Sequence, residues 1–399
     1  MFQSRVPSPI TLHPSPRLIL IGALSLGLAG LARGDSGSLA ESTRPATIPR
    51  FFTYFGLDPN AVDTMADRYA VVVWHDDPTN RATVADMKQR SPQVTAFMYR
   101  DLFCVLKHET PLKESVGRYD WIESHHPDWF QQDTLGRRIE VPDYPWQWMM
   151  DLGNPDWQAF WIEHTLQDVM DGGWDGVFAD DALTTIRAHQ LPPLKGYSDD
   201  AALQRAVYEF LVKAATAFHR AGKLLTANVS GSYDYPGLWE RWLLVTDGLM
   251  EEHFAGEGWT WGDHVAARQL EAMQLADRTG KWMLCMTYGP LSDQARMQTS
   301  LAAYLIGAGP KIVWSYRPSE APDETPWHPS WNVSLGEPLG LPNASGALWM
   351  REFTRGSVAV NVGRGAIKVR VESQSVRIPG RSGVLFNNIA PHHSSNQDG

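Results

Sequence analysis

Asp175-Gly176-Val177-Phe178-Ala179-Asp180-Asp181 is a short apolar run opened by a glycine and closed by two carboxylates. A run of this length bounded by a turn residue suits a strand buried on both faces, as in a parallel sheet. Burying one carboxylate costs several kcal/mol unless it is paired, and two side by side cost more. A strand end that simply emerges into water would also tolerate such a pair. A second copy weighs against that bland reading, because Asp247-Gly248-Leu249-Met250-Glu251-Glu252 repeats the arrangement at the same offset. Two buried strands that end in paired acids point to an active site built from strand ends.

Outward from these two stretches, apolar runs alternate with helical patterns from residue 50 onward. The strands expected are Phe51–Phe55, Ala70–Trp74, Val94–Tyr99, Gly176–Asp180, Leu224–Val229, Gly248–Glu252, Trp282–Thr287 and Ile312–Tyr316. Between them Ile162, Leu166 and Val169 share one helix face, as do Met297, Leu301, Leu305 and Ala308. Asn154-Pro155 forms a helix start, with Asn as cap and Pro at the first helical position. Eight strand–helix alternations match an α/β fold of the (β/α)8 TIM-barrel type, which typically takes ~250 residues. A doubly wound open sheet is the competitor, but no glycine-rich phosphate loop follows the first strand.

The domain boundaries follow from composition. Residues 50–331 are expected to form the barrel. The stretch from Leu102 to Gly173 is an aromatic insertion that holds Trp121, His125, His126, Trp129, Trp146, Trp148 and Asp151. Beyond Trp331, Pro338, Pro342 and Gly346 mark a linker. Ser357–Asn361, Ala366–Val371 and Val384–Phe386 then predict a small antiparallel β-domain over 332–389. Residues 390–399 are a polar tail expected to be disordered. At the other end, Arg5 and Arg17 precede the apolar run Leu18 to Leu31, and small residues follow it. That pattern predicts a secretory signal peptide over 1–34 and a flexible leader over 35–49. The expected location is secreted or periplasmic, with no stable membrane insertion after cleavage.

The chain has 399 residues and a net charge of −10, with no long basic run, which argues against nucleic acid as a partner. Its 17 tryptophans suit either a large aromatic core or a sugar-stacking cleft. Cys104 and Cys285 are the only cysteines, and two buried free thiols are expected. No zinc spacing occurs, so neither a metal nor any other cofactor is expected.

In a barrel, the C-terminal ends of the strands carry the chemistry. Here they carry Tyr54, His75, Asp101, Asp180-Asp181, Asn228, Glu251-Glu252 and Tyr288. An Asp and a Glu on separate strands facing one cleft suit glycoside hydrolysis, one attacking or activating water and the other protonating the departing oxygen. The catalytic candidates are therefore Asp180, Asp181, Glu251 and Glu252. Tyr54, Trp74, His75, Asp101, Trp148, Asp151, Asn228 and Tyr288 are candidates for holding a carbohydrate substrate. Retention is the favoured stereochemical outcome, although spacing in sequence does not set the distance between carboxyls.

The fourth-strand motif, Asp-Gly then two apolar residues, one further residue and Asp, resembles the nucleophile strand of the α-amylase, α-glucosidase and α-galactosidase groups. The whole layout is more similar to the poorly characterised glycosyl hydrolase families with a (β/α)8 barrel. These carry Asp-Gly-Val-Phe-x-Asp-Asp on the fourth strand. They open the C-terminal domain with a segment like Arg351-Glu352-Phe353-Thr354-Arg355-Gly356-Ser357-Val358-Ala359-Val360-Asn361. The resemblance covers roughly residues 50–387. It implies Asp180 as nucleophile and Glu252, or its neighbour Glu251, as acid/base. The chain departs from amylases at Phe178, where they carry Arg, and at Tyr288-Gly289-Pro290, where they carry Asn-His-Asp. The α-glucosidase run Asp-Met-Asn-Glu is also missing, since Asp181-Ala182-Leu183 follows Asp180. Neither substrate specificity is therefore carried over. The expectation is a secreted hydrolase of O-glycosidic bonds in a poly- or oligosaccharide. The alternative is a secreted carbohydrate-binding protein with an inactive glycosidase-like barrel.

Overall fold

The structure, a computed structural model, describes residues 51–54, 62–108, 114–229, 231–319, 327–371 and 374–387. The expected signal peptide, leader and tail lie outside the described residues. Eight parallel strands close into a barrel: β1 (Phe51–Tyr54), β2 (Tyr69–Trp74), β3 (Thr95–Asp101), β4 (Gly176–Asp180), β5 (Leu224–Asn228), β6 (Gly248–Glu251), β7 (Trp282–Gly289) and β8 (Ile312–Pro318). Each pairs with its sequence neighbours, and β8 closes on β1. The helices around them are α1 (Val62–Arg68), α2 (Pro78–Arg90), α3 (Tyr119–His125), α4 (Pro155–Asp171), α5 (Asp200–Arg220), α6 (Leu238–Val245), α7 (Val265–Thr279) and α8 (Gln294–Gly307). Among the described residues, no helix is long and apolar enough to cross a membrane.

The pleat sorts every strand into two faces. Phe52, Val71, Val73, Phe97, Phe178, Met250, Leu284, Met286 and Val313 fill the barrel interior. Val72, Trp74, Met98, Val177, Ala179, Leu225, Leu249, Met283 and Cys285 face the helices instead. Both faces are apolar, which is why these strands read as unbroken runs rather than alternating ones.

The repeated Asp-Gly pair has its own structural cause. A Cβ on Gly176 would collide with the Leu224 carbonyl, and one on Gly248 would collide with Trp282. The preceding aspartates tie down the adjacent strand: Asp175 accepts the Ala96 N–H at 2.8 Å, and Asp247 accepts that of Leu225 at 2.8 Å. The motif thus closes the barrel at one end of each strand and presents acids at the other.

The insertion after β3 contains α3 and an antiparallel ribbon of Cys104–Leu106 against Gln147–Met149. Asn154 caps α4 as its sequence implies, accepting the N–H groups of Asp156 and Trp157. Cys104 and Cys285 are free and buried. After β8 come β9 (Asn343–Ser345), β10 (Leu348–Phe353), β11 (Gly356–Asn361), β12 (Ile367–Val371), β13 (Gln374–Ile378) and β14 (Ser382–Asn387). They form an antiparallel sheet in the order β9-β10-β11-β14 and a β12-β13 hairpin. The segment Arg351–Asn361 is the β10–β11 hairpin of this sheet. Arg351 docks it on the barrel by donating to the carbonyls of Ile306 at 3.2 Å and Ala308 at 2.7 Å, where α8 leaves acceptors unpaired.

Candidate active site

Counting in twos from the interior residues predicts what reaches the barrel mouth. Two steps from Phe178 lies Asp180, two from Met250 lies Glu252, and two from Met286 lies Tyr288. Asn228 stands on the same face of β5. These four converge. The Asn228 Nδ2 donates to Asp180 Oδ1 and to Glu252 Oε2, each at 2.8 Å. The Tyr288 hydroxyl donates to Glu252 Oε1 at 2.8 Å. Tyr99, two steps from Phe97, donates its hydroxyl to Asp180 Oδ2 at 2.6 Å, and the Asp181 N–H donates to Oδ1 at 2.9 Å. Asp180 is only 8% exposed. Burial and the charges of Asp181 and Glu252 push its pKa up to about 7, against the pull of the Tyr99 and Asn228 donors. Burial and the charge of Glu252 likewise keep the Tyr288 hydroxyl protonated, as a donor must be.

Asp101 and His75 border this cluster. Asp101 pairs in register with Asp180 and accepts the N–H groups of Phe103 and Cys104 at 2.8 and 2.9 Å. Burial, then Asp181 and Asp180, hold its carboxyl well above the usual range. The His75 ring meets Tyr99 edge-on at 5.0 Å. Burial and the Arg100 charge bring its pKa down to about 4, so it is neutral at neutral pH.

Other sequence candidates are placed elsewhere. Trp74 is fully buried among the residues that face the helices, one step out of phase with the mouth. Glu251 is out of phase in the same way and is also fully buried. Trp148 packs on Tyr119 and Phe130 within the insertion. Asp151 accepts from the Tyr197 hydroxyl at 2.6 Å and from the Gly153 N–H at 3.0 Å, at the start of α4. The side chain of Tyr54 lies outside the described residues. Arg100, on β3 between Tyr99 and Asp101, points the other way to the Ser115 carbonyl and Asp168.

Glu251 is instead a protonated core residue. Burial raises its pKa to about 8, with the His253 N–H and the Tyr233 hydroxyl opposing and the Glu252 charge adding. A carboxyl whose pKa rises on folding stabilises the fold fully below its unfolded value. That contribution is lost as pH climbs towards the folded value, by ~1.4 kcal/mol for each pH step of one between the two. Wild-type melting temperature should therefore fall between pH 5 and pH 8 more steeply than that of Glu251→Gln. Parallel melting curves for the two proteins across this range would refute the assignment.

Several mouth residues escape sequence reasoning because long loops deliver them. Tyr144, from the insertion, stands 46% exposed. Burial and the charges of Asp181, Glu252, Asp180 and Asp143 raise its hydroxyl pKa to about 12. His189, from the loop after β4, pairs with Asp181 Oδ1 at 3.1 Å. On the Glu252 side, the His253 ring lies 5.8 Å from Tyr288 and 4.7 Å from Trp261, which is 51% exposed. Tyr99 was within reach of the sequence, through its period-two spacing from Phe97.

The same strands that supply the carboxylates carry a family signature. A model described as hypothetical glycosyl hydrolase family 15 matches residues 88–357, well over half of the chain. The chain belongs to this family. The family 15 match runs from within α2 to the start of β11, so it takes in every strand that supplies the carboxylate cluster. Its activity class is glycoside hydrolysis. No curated protein matches the sequence. Among solved structures, the family 15 chain is similar to a Flavobacterium johnsoniae GH31 dextranase variant complexed with isomaltotriose. That match has 11% identity and a TM-score of 0.51, and it covers 86% of this chain and 52% of that one. It is also similar to the glycoside hydrolase domain of PelA from Pseudomonas aeruginosa, at 17% identity, 70% and 97% coverage, and a TM-score of 0.43. A noncanonic maltogenic α-amylase from Thermotoga neapolitana matches at 9% identity, 85% and 96% coverage, and a TM-score of 0.45. At these identities the dextranase match speaks for the barrel fold alone.

Proposed function

We propose that this protein is a secreted, retaining glycoside hydrolase of a poly- or oligosaccharide, with Asp180 as nucleophile and Glu252 as acid/base. One observation carries the reading: a single nitrogen, Asn228 Nδ2, lies 2.8 Å from an oxygen of each carboxylate. Those oxygens are therefore separated by no more than twice that distance. Retaining enzymes hold their carboxyls ~5–5.5 Å apart, whereas inverting enzymes need ~6.5–9.5 Å to admit a water.

The chemistry follows from the surroundings. Burial and the charges of Asp181 and Glu252 bring the Asp180 pKa up to about 7, so that it ionises near neutral pH. The Tyr99, Asn228 and Asp181 N–H donors favour the ionised Asp180 that a nucleophile requires. Asp180, fixed by Tyr99, Asn228 and the Asp181 N–H, attacks the anomeric carbon as Glu252 gives its proton to the departing oxygen. A glycosyl ester on Asp180 forms, and Glu252 then takes a proton from the water that cleaves it. Tyr144 and Trp261 offer exposed ring faces to sugars on the two sides of the pair. Export rests on the charged and apolar pattern of residues 1–34.

The test is to expose the protein to a panel of polysaccharides and assay new reducing ends. The anomeric configuration of the first product is then followed by proton NMR. Release of a product with retained configuration is expected. An inverted product would reject the assigned roles, and binding without any cleavage across the panel would favour a carbohydrate-binding protein.

A further inference from the structure

We propose that His189 is a positioning residue of this site: paired with Asp181 and lodged between Phe103 and Tyr144, it offsets the charge beside Asp180 and holds the insertion tip at the mouth. The inference rests on Asp180 being the functional carboxylate.

The backbone gives the first indication. His189 and Gln190 adopt φ of 50° and 56°, and Asp181 adopts 52°. Left-handed backbone is disfavoured for a residue with a Cβ, so three such residues on one loop persist only where their surroundings over-determine them. Side-chain partners supply that constraint. The His189 Nε2 lies 3.1 Å from Asp181 Oδ1. Its ring stacks on Phe103 at 5.4 Å and 20°, and Tyr144 meets it at 5.3 Å and 66°. The next residue, Gln190, donates to Asp143 Oδ1 at 2.5 Å. Two successive residues of the β4–α5 loop therefore grip two successive residues of the insertion.

The electrostatics are consistent with this geometry. Charged groups of three origins act on His189: Asp181 from the end of β4, Asp101 from the end of β3, and Asp143 from the insertion. Burial disfavours the imidazolium, but the hydrogen bond and charge of Asp181, with the charges of Asp101 and Asp143, outweigh it and raise the His189 pKa. A cation on Asp181 weakens the repulsion that Asp181 exerts on Asp180, whose Oδ1 accepts the Asp181 N–H. Asp180 consequently ionises at a lower pH than it would beside an unscreened Asp181.

The experiment titrates Asp180 directly, by the carboxyl carbon-13 resonance that disappears in Asp180→Asn, in wild type, His189→Gln, Asp181→Asn and the double variant. Glutamine keeps a donor for Asp181 and removes the charge. The Asp180 midpoint should rise by about one pH unit in His189→Gln, and the acid limb of kcat/KM should move with it. In the Asp181→Asn background the same change should have no further effect, because the charge it screens is gone. An unmoved midpoint in folded His189→Gln would overturn the proposal, as would an equal shift with Asp181 already removed. A midpoint that shifts as expected in a protein that cleaves no glycoside would keep the role of His189 and reject the hydrolytic reading of Asp180.

Discussion

Asp180→Asn is expected to lower kcat by at least about 10⁴-fold, since the step it removes is the one that forms the covalent intermediate. The change is nearly isosteric, and Asn still accepts through one oxygen. However, its amide would face Tyr99, Asn228 or the Asp181 N–H, all of which are donors to the aspartate. Loss of one hydrogen bond costs ~1 kcal/mol in stability, far below what unfolds a domain. The melting temperature should therefore stay within a few degrees of wild type while turnover disappears. Asp181→Asn should be milder, because Asp181 contacts Asp180 through its backbone N–H and His189 through its carboxylate. Wild-type kcat in Asp180→Asn, or a larger loss in Asp181→Asn, would move the nucleophile elsewhere.

The second largest effect belongs to Glu252→Gln, and its size should depend on the substrate. General-acid assistance contributes about 10²–10⁴-fold. It matters most when the departing oxygen is a poor leaving group, as in a natural glycosidic bond. A sugar–sugar linkage should therefore lose on the order of 10³-fold in kcat. An aryl glycoside with an acidic phenol needs no proton to form the intermediate and should lose far less in that step. Tyr288 and Asn228 reach different Glu252 oxygens, so glutamine keeps one of the two acceptors and loses one hydrogen bond, ~1 kcal/mol in stability, which leaves the fold intact. Equal losses on both substrates would show that Glu252 is not the acid. Glu251 would not replace it, since it is fully buried on the helix-facing side of β6.

How much of this was legible before folding depends on range. Buried parallel strands must be apolar on both faces, so each of the eight left an unbroken run between turn signals, and their number and order followed from local sequence alone. The two acid pairs were visible for the same reason, as charges ending apolar runs. Period two already said that Asp180 and Asp181, or Glu251 and Glu252, point to opposite sides. Which side is the mouth depends on how the strands tilt and register in the closed barrel. That choice made Glu252 a partner of Asn228 and Glu251 a core acid, and it sent Trp74 into the helix layer. The donors were harder still. Tyr99 and Asn228 lie far from Asp180 in sequence, and the parallel pairing of β3 and β5 on either side of β4 brings them within hydrogen-bonding reach. Tyr144, His189 and Trp261 stand on long loops with no periodicity to read, and their places were decided by contacts between those loops. The sequence alone determined the barrel and the kind of chemistry, because both are written in local pattern. The tertiary structure decided which carboxylates share a site, because that is a matter of distance between residues the chain itself keeps far apart.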